Sequence, residues 1–525
     1  MMIIAVLLTS VVGAAVPYAG SFSLQPGQVD WRATPLRART VCEEMASEKF
    51  RTTRMSAKVV VRAGDIPEHC RIAGFLPTEI GFEVNLPLAW NGRLYMYGNG
   101  GYSGEDPAAS YIQAKRDKAL ANGFATAWTD TGHRASREPA GTFAQNPVAL
   151  TNHAYLAVHV TAEFAKQLAA AFYGHAADFS YWDGCSTGGR QGVMEAYRFP
   201  KDFNGILAGA PTLDWTSIMI KGLWRQSATQ GTGLTVEKMQ TVFKAVMSKC
   251  DAIDGLKDGL IGDPRQCAFG PHRDLARCAA GEDDDACLTP RQADALQKIY
   301  DGPPKGPGMP NWVREYPGFE ESSVIGDDKF GAHWVLTRDG SPNTLAVMAD
   351  SWMKYFSFKN PEYDASKFDF ARDPSRARAA DAEMNPKPDL KAFNDTGGKM
   401  ITWWGWSDMA LNAGMGIDFY DRVVANYGLA NTQKFYRLYL IPGVAHCAGG
   451  YGPCDVDGMP ALIDWVEKGV APERLGARRI VDGKTIYNRA YCAYPAATRY
   501  QSGDPEVPAN YQCIPRKMVE GVAKP

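Results

Sequence analysis

The chain carries no excess of charge of either sign: 56 Lys and Arg stand against 58 Asp and Glu, a formal net charge of -2. Nothing in that balance suggests a nucleic-acid or polyanion partner. No C-x-x-C occurs among its 11 cysteines, so neither a zinc ribbon nor a thiol–disulfide redox motif is on offer. Past the N-terminus, no apolar run is long enough to cross a bilayer. The glycine-rich loop Gly98-Asn99-Gly100-Gly101-Tyr102 lacks the spacing and the lysine of a P-loop, and no G-x-G-x-x-G follows it. No internal repeat is evident.

What is present is ordinary globular composition, 45% hydrophobic and 22% charged over 525 residues, enough for a large core and more than one domain. The aromatic content of 11% fits either packing or a pocket for aromatic ligands. Residues 1–19 open with an apolar run ending in Gly13, Ala14 and Ala15. Although a basic start is missing, the run reads as a secretion signal rather than a membrane span; a buried terminal strand or helix is the bland alternative. The cysteines agree with a secreted or periplasmic protein. Cys250/Cys267, Cys278/Cys287 and Cys492/Cys513 are locally spaced pairs, and Cys42 and Cys70 flank a strand they could close. An odd count leaves one thiol over, and Cys454 is the candidate.

The chain turns around Tyr181 to Arg190, which contains Gly184-x-Ser186-x-Gly188. Phe179 to Trp182 reads as a strand and Arg190 to Tyr197 as a helix, so Ser186 sits on a tight strand-to-helix turn. Such a turn needs small residues on both sides. The helix start directs free N–H groups and partial positive charge at the site, which suits a developing oxyanion. Taken alone, the pattern is also compatible with an idle serine on a glycine-rich turn.

Strands are expected at Ala57 to Arg62, Ile80 to Leu86, Arg93 to Tyr97, Gly123 to Asp130 and Gly205 to Pro211. Asn152 to Phe172 reads as a helix whose His153 and His159 are packing or hydrogen-bonded residues. The alternation implies a mostly parallel sheet with helices on both faces. From Leu213 the strand signal stops until Lys399. That interval holds two cysteine pairs, the acidic run Glu282 to Asp285 and a Pro/Gly-rich segment, and is too long for a loop. It reads as an inserted domain, residues 213–396, between catalytic segments 20–212 and 397–525. The sheet signal returns at Lys399 to Trp404 and Phe435 to Leu440, followed by a helix at Pro460 to Lys468.

An activated serine needs a base, and the base an orienting carboxylate. Ser186, Asp408 and His446 follow in the order of doubly wound hydrolases, each after a strand. Cys185 precedes the serine and Cys447 follows the histidine, so a serine–histidine hydrogen bond would bring the two cysteines within disulfide reach. Cys185 as nucleophile is the rival, but the motif places Ser186 at the apex. The loop after the early strand, with Gly100 and Gly101, is where such hydrolases take an oxyanion donor. In the insert, Asp251, Asp254 and Asp258 with intervening glycines look like a calcium loop without EF-hand spacing; a solvated Asp/Gly turn is the alternative.

Gly184-Cys185-Ser186-Thr187-Gly188-Gly189, Trp406-Ser407-Asp408, Gly443-Val444-Ala445-His446-Cys447 and the Asp251 to Ile261 loop together resemble the tannase/feruloyl esterase family over nearly the whole chain. The resemblance implies an α/β-hydrolase core with a large lid, the Ser186–His446–Asp408 triad and the Cys185–Cys447 bridge. It also implies a structural Ca2+ held by the side chains of Asp251, Asp254 and Asp258 and the carbonyls of Leu256 and Leu260. Oxyanion donors carry over to the Thr187 amide and to Gly100 or Gly101. One departure is Trp404, where members often have a histidine near the substrate; the run Met409 to Asn412 is another. The expected activity is hydrolysis of aromatic-acid esters of the feruloyl or galloyl type on a small-molecule substrate, without nucleic acid or membrane. The alternatives are a terephthalate half-ester or other aryl ester, and, outside enzymes, a hydrolase-fold binding protein.

Overall fold

A computed structural model describes residues 35–46, 54–319, 334–337 and 341–515. The N-terminal run read as a secretion signal lies outside the described residues. Nine strands form one mixed sheet. In chain order they are β1 Arg54–Val60, β2 His69–Leu76, β3 Ile80–Pro87, β4 Arg93–Tyr97, β5 Ala125–Thr129, β6 Phe179–Cys185, β7 Gly205–Gly209, β8 Lys399–Gly405 and β9 Tyr436–Ile441. Their spatial order is β9-β8-β7-β6-β4-β5-β3-β2-β1. From β9 to β5 the neighbours run parallel. The pairings of β5 with β3, β3 with β2 and β2 with β1 are antiparallel.

The parallel strands are apolar throughout because both faces are covered. Trp182, Ile206, Ala208 and Trp404 join the apolar cluster on one face, while Tyr181, Leu207, Ile401 and Trp403 join that on the other. The first face is covered by helices α2 (Ala157–Tyr173), α3 (Thr187–Arg198) and α8 (Ala413–Tyr427), the second by α1 (Ser110–Ala121) and α9 (Gly458–Lys468). The glycines of β7 have a packing reason. A Cβ on Gly205 would lie 2.7 Å from the Tyr181 ring, and one on Gly209 would lie 2.6 Å from the Trp403 ring. Large aromatics on the flanking strands thus lean across a strand that has no side chain there.

Several expectations shift. The strand expected at Ala57 to Arg62 ends at Val60 and pairs with β2, which the reading passed over because its half-buried residues do not alternate cleanly. The helix expected from Asn152 begins as one π-type turn, Asn152–Leu156, before α2. Beyond α9 lies an antiparallel hairpin, Arg474–Val481 with Lys484–Cys492, that was not expected.

Among the described residues no strand lies between β7 and β8; helices α4 (Trp215–Thr229), α5 (Val236–Cys250), α6 (Pro290–Asp301) and α7 (Thr344–Trp352) dominate that interval. Part of it has its own apolar cluster, including Met239, Val242, Leu296 and Ile299. Trp215, Ile218, Trp352 and Phe356, by contrast, belong to the main core. The insert is therefore packed into the body rather than hung from it. All five expected disulfides are present: Cys42–Cys70, Cys185–Cys447, Cys250–Cys267, Cys278–Cys287 and Cys492–Cys513. Cys454 is left unpaired.

Candidate active site

Ser186 sits between β6 and α3 at φ 62° and ψ -123°. Few side chains tolerate that conformation, and it costs about 1–3 kcal/mol. The turn holds because its neighbours leave no alternative. The Ser186 N–H donates to the Gly209 carbonyl at 2.9 Å, and the Gly188 N–H to the Asn99 carbonyl at 2.8 Å. A Cβ on Gly184 would lie 2.4 Å from the Gly188 carbonyl, and one on Gly98 2.5 Å from the Gly188 Cα. Only glycine permits these approaches.

Asp408 and His446 lie on the loops after β8 and β9, at the same edge of the sheet. His446 Nδ1 is 2.8 Å from Asp408 Oδ2. Asp408 is buried, and its Oδ1 accepts the amides of Ala410 at 2.9 Å and Leu411 at 2.7 Å. The carboxylate is thus satisfied on one oxygen by its own loop and on the other by the imidazole, which leaves Nε2 for a second partner. The Cys185–Cys447 bridge, with a Cα–Cα distance of 5.8 Å, joins the residue before the serine to the residue after the histidine. The sequence-predicted Ser186, Asp408 and His446 are therefore gathered at one edge of the sheet by the loops that carry them.

The two candidate oxyanion glycines differ. The Gly100 N–H is taken by Glu105, at 3.2 Å from each carboxylate oxygen, so Gly100 is not available as expected. Gly101 has a φ of 51°, and its carbonyl accepts the Thr187 hydroxyl. Among the described residues neither the Gly101 nor the Thr187 amide donates a hydrogen bond. Burial pushes the Glu105 carboxyl up, opposed by hydrogen bonds from Tyr111, Gly100 and Asn99.

Trp404, expected at the substrate pocket, is fully buried in the main core. Its ring fills the space over Gly416 of α8, where an added Cβ would come within 2.4 Å. Strand alternation sends it toward the helix layer. His153 and His159 are, as expected, packing and hydrogen-bonded residues. His153 is buried beside Phe143 and His133, and His159 Nδ1 meets Asp202 Oδ2 at 2.6 Å.

Asp251, Asp254 and Asp258 converge at the C-terminal end of α5. Asp251 Oδ1 accepts the amides of Asp258 at 3.1 Å and Gly259 at 2.9 Å, curling the loop back on itself. Burial, with repulsion from Asp258 and Asp251, pushes Asp254 up to about 6. Three crowded carboxylates of this kind offer the oxygen ligands that a hard cation such as Ca2+ takes. They are spread more widely than His159, Glu195 and Asp202, whose ligand atoms alone among the described residues lie within 4.8 Å of one another. Backbone carbonyls would have to complete a shell at the loop. Arg489 Nη2 also meets Asp258 Oδ2 at 3.0 Å, tying the loop to the C-terminal hairpin.

Two features escaped the sequence reading. Tyr102, from the glycine loop, lies among Trp215, Trp352 and Phe356 of the insert, with ring centroids 5.3–6.1 Å apart. Trp334 of the insert stands 6.2 Å from the His446 ring. These side chains carry no motif; only the fold brings Tyr102 into that buried cluster and Trp334 to His446.

A family model described as tannase and feruloyl esterase matches residues 63–514. The chain belongs to that family. The mono(2-hydroxyethyl) terephthalate hydrolase of Piscinibacter sakaiensis is 31% identical, covering 91% of this chain and 92% of its own. The solved feruloyl esterase B of Aspergillus oryzae is 27% identical at a TM-score of 0.77, covering 90% of this chain and 99% of its own. The tannin acyl hydrolase of Aspergillus niger, at 19% identity and a TM-score of 0.69, shares the fold over 93% of this chain and 94% of its own. The protein is thus an α/β-hydrolase and a carboxylic ester hydrolase, and the reading as a mere binding protein falls away.

Proposed function

We propose that the protein hydrolyses carboxylic esters of aromatic acids through an acyl-enzyme. The observation that carries the mechanism is the Asp408–His446 hydrogen bond on loops tethered to the nucleophile turn by Cys185–Cys447. Ser186 attacks the ester carbonyl while His446 Nε2 takes its proton. Asp408 holds the imidazole in the tautomer with Nδ1 protonated and stabilises the imidazolium. The amides of Thr187 and Gly101 receive the oxyanion, at the positive end of α3. His446 then protonates the leaving alcohol, and water, deprotonated by the same histidine, cleaves the acyl-enzyme. Trp334 of the insert, beside His446, supplies an apolar surface for the ring of the acid.

Asp251, Asp254 and Asp258, with the Leu256 and Leu260 carbonyls, would hold a Ca2+ ion that offsets their mutual repulsion and stiffens the insert. The five disulfides support export to an oxidising compartment.

The feruloyl and galloyl readings follow from the family. The terephthalate half-ester is favoured as a second reading by the 31% identity to the terephthalate hydrolase. A panel of methyl ferulate, methyl gallate and mono(2-hydroxyethyl) terephthalate ranks them by kcat/KM. Equal, weak activity on all three alongside fast cleavage of short aliphatic esters would overturn the aromatic-acid assignment.

A further inference from the structure

Helix α4 of the insert buries two cations one turn apart. The side chains of Lys221 and Arg225 are 2% and 1% exposed. Two like charges at this spacing repel, and burial raises the cost of each. One anion lies between them: Glu315 Oε1 is 2.9 Å from Lys221 Nζ and directly bonded to Arg225 Nη2. Asp408 is a further carboxylate acting on the Lys221 charge.

The second arm of Arg225 leads outside the insert. Its Nη1 donates at 2.5 Å to the carbonyl of Met409, the residue after Asp408; that carbonyl belongs to the Met409–Ala410 peptide, whose N–H donates to Asp408 Oδ1. Asn412, three residues further, donates through Nδ2 to the carbonyls of Trp312 and Arg314, in the segment that leads directly into Glu315. The Met409 side chain packs in the insert's own apolar cluster. Inside this frame the loop wraps its amides around Asp408 Oδ1. The outer wall of the loop is thus built by the insert.

We propose that Arg225, fixed by Glu315, is a positioning residue that sets the orientation of Asp408 toward His446, so that this side of the insert stays docked while the ester is cleaved. The inference rests on Asp408 being the triad acid. It gives the insert a second task beside covering the substrate: it completes the catalytic edge of the sheet.

The test compares Arg225→Gln, Arg225→Lys and Asn412→Ala in the full-length protein, with Asp408→Asn as a control. For Arg225→Gln, kcat on the best ester of the panel should fall about 10- to 100-fold, the loss expected of a sub-ångström to ångström misplacement, with KM little changed. Arg225→Lys, which keeps the charge but loses the fork, should recover part of kcat. The low-field proton resonance of the Asp408–His446 hydrogen bond should shift or broaden in Arg225→Gln. If Arg225→Gln does not fold, Asn412→Ala must show the same fall in kcat and the same change in resonance. Wild-type kcat and an unmoved resonance in the folded variant overturn the proposal, as does a loss of stability alone. Full activity in Asp408→Asn would instead overturn the triad assignment, a separate failure.

Discussion

Replacing both Cys185 and Cys447 with alanine separates the two things this bridge does. The cysteines are 262 residues apart. Chain entropy for a loop that long gives about 5–6 kcal/mol of stabilisation, an upper figure because other bridges already shorten the unfolded loop. The positional effect is distinct. Ser186 at φ 62° and Cys447 at φ 63° both hold left-handed conformations that non-glycine residues avoid. Each stores about 1–3 kcal/mol, and the bridge joins the two strained turns directly. Without it, either turn can relax, and Ser186 Oγ and His446 Nε2 lose their register. A shift of about 1 Å between reacting groups costs about 100-fold in rate. The assay is the initial rate of ester hydrolysis per active site, titrated with a serine-directed phosphonate, beside calorimetric unfolding. The expected result is a lower Tm together with kcat reduced by about 10- to 100-fold in the molecules that remain folded. A variant with a lower Tm but wild-type kcat per titrated site would refute the tether and leave the bridge a staple only.

Ser186→Ala should abolish turnover and phosphonate labelling, and Asp408→Asn should lower kcat by about 10⁴-fold with the fold intact, as loss of the correct tautomer does in serine hydrolases; wild-type rates in either would exclude the assignment. Removal of Ca2+ with EDTA should lower Tm and re-addition restore it, by about 2.7 kcal/mol at a free concentration of 100 times Kd; an unchanged Tm after metal removal verified by elemental assay would exclude the ion site. Asp130, at the end of β5, is pushed by burial from 3.8 to about 6 despite accepting the Gly81 and Gly132 amides. The folded state therefore binds more protons than the unfolded state between these values, and stability falls as pH rises through that window. Asp130→Asn should remove that fall, about 3 kcal/mol at most, in pH-resolved denaturant titrations; identical pH slopes in variant and wild type would refute it.

The parts legible in the sequence were those with a local cause. β6, β7 and β8 announce themselves as apolar runs because both faces are buried, and the Gly184-x-Ser186-x-Gly188 turn because close backbone approach admits only glycine. β2 was not legible, since an edge region half open to solvent carries neither strict alternation nor a continuous apolar run. The Arg474–Val481 hairpin, with charged residues on its open face, was missed for the same reason. Gly100 and Gly101 looked equivalent because the difference between them is a single contact from Glu105. Trp404 was read as a pocket residue on its place before Asp408; strand parity turned it into the core.

By itself, the sequence determined the chemistry: a serine on a strained turn, an acid and a histidine in hydrolase order, and five cysteine pairs, one of which, Cys185 and Cys447, adjoins the serine and the histidine. These depend on residue type and spacing, which are local properties of the chain. Only the tertiary structure decided that the Gly100 amide is taken by Glu105, that Trp334 stands near His446, and that Lys221, Arg225 and Glu315 of the insert meet beside the Asp408 loop. Such contacts join residues tens to hundreds of positions apart. A hydrogen bond or a buried charge takes its energy from what stands at its other end, and that partner exists only once the chain has folded.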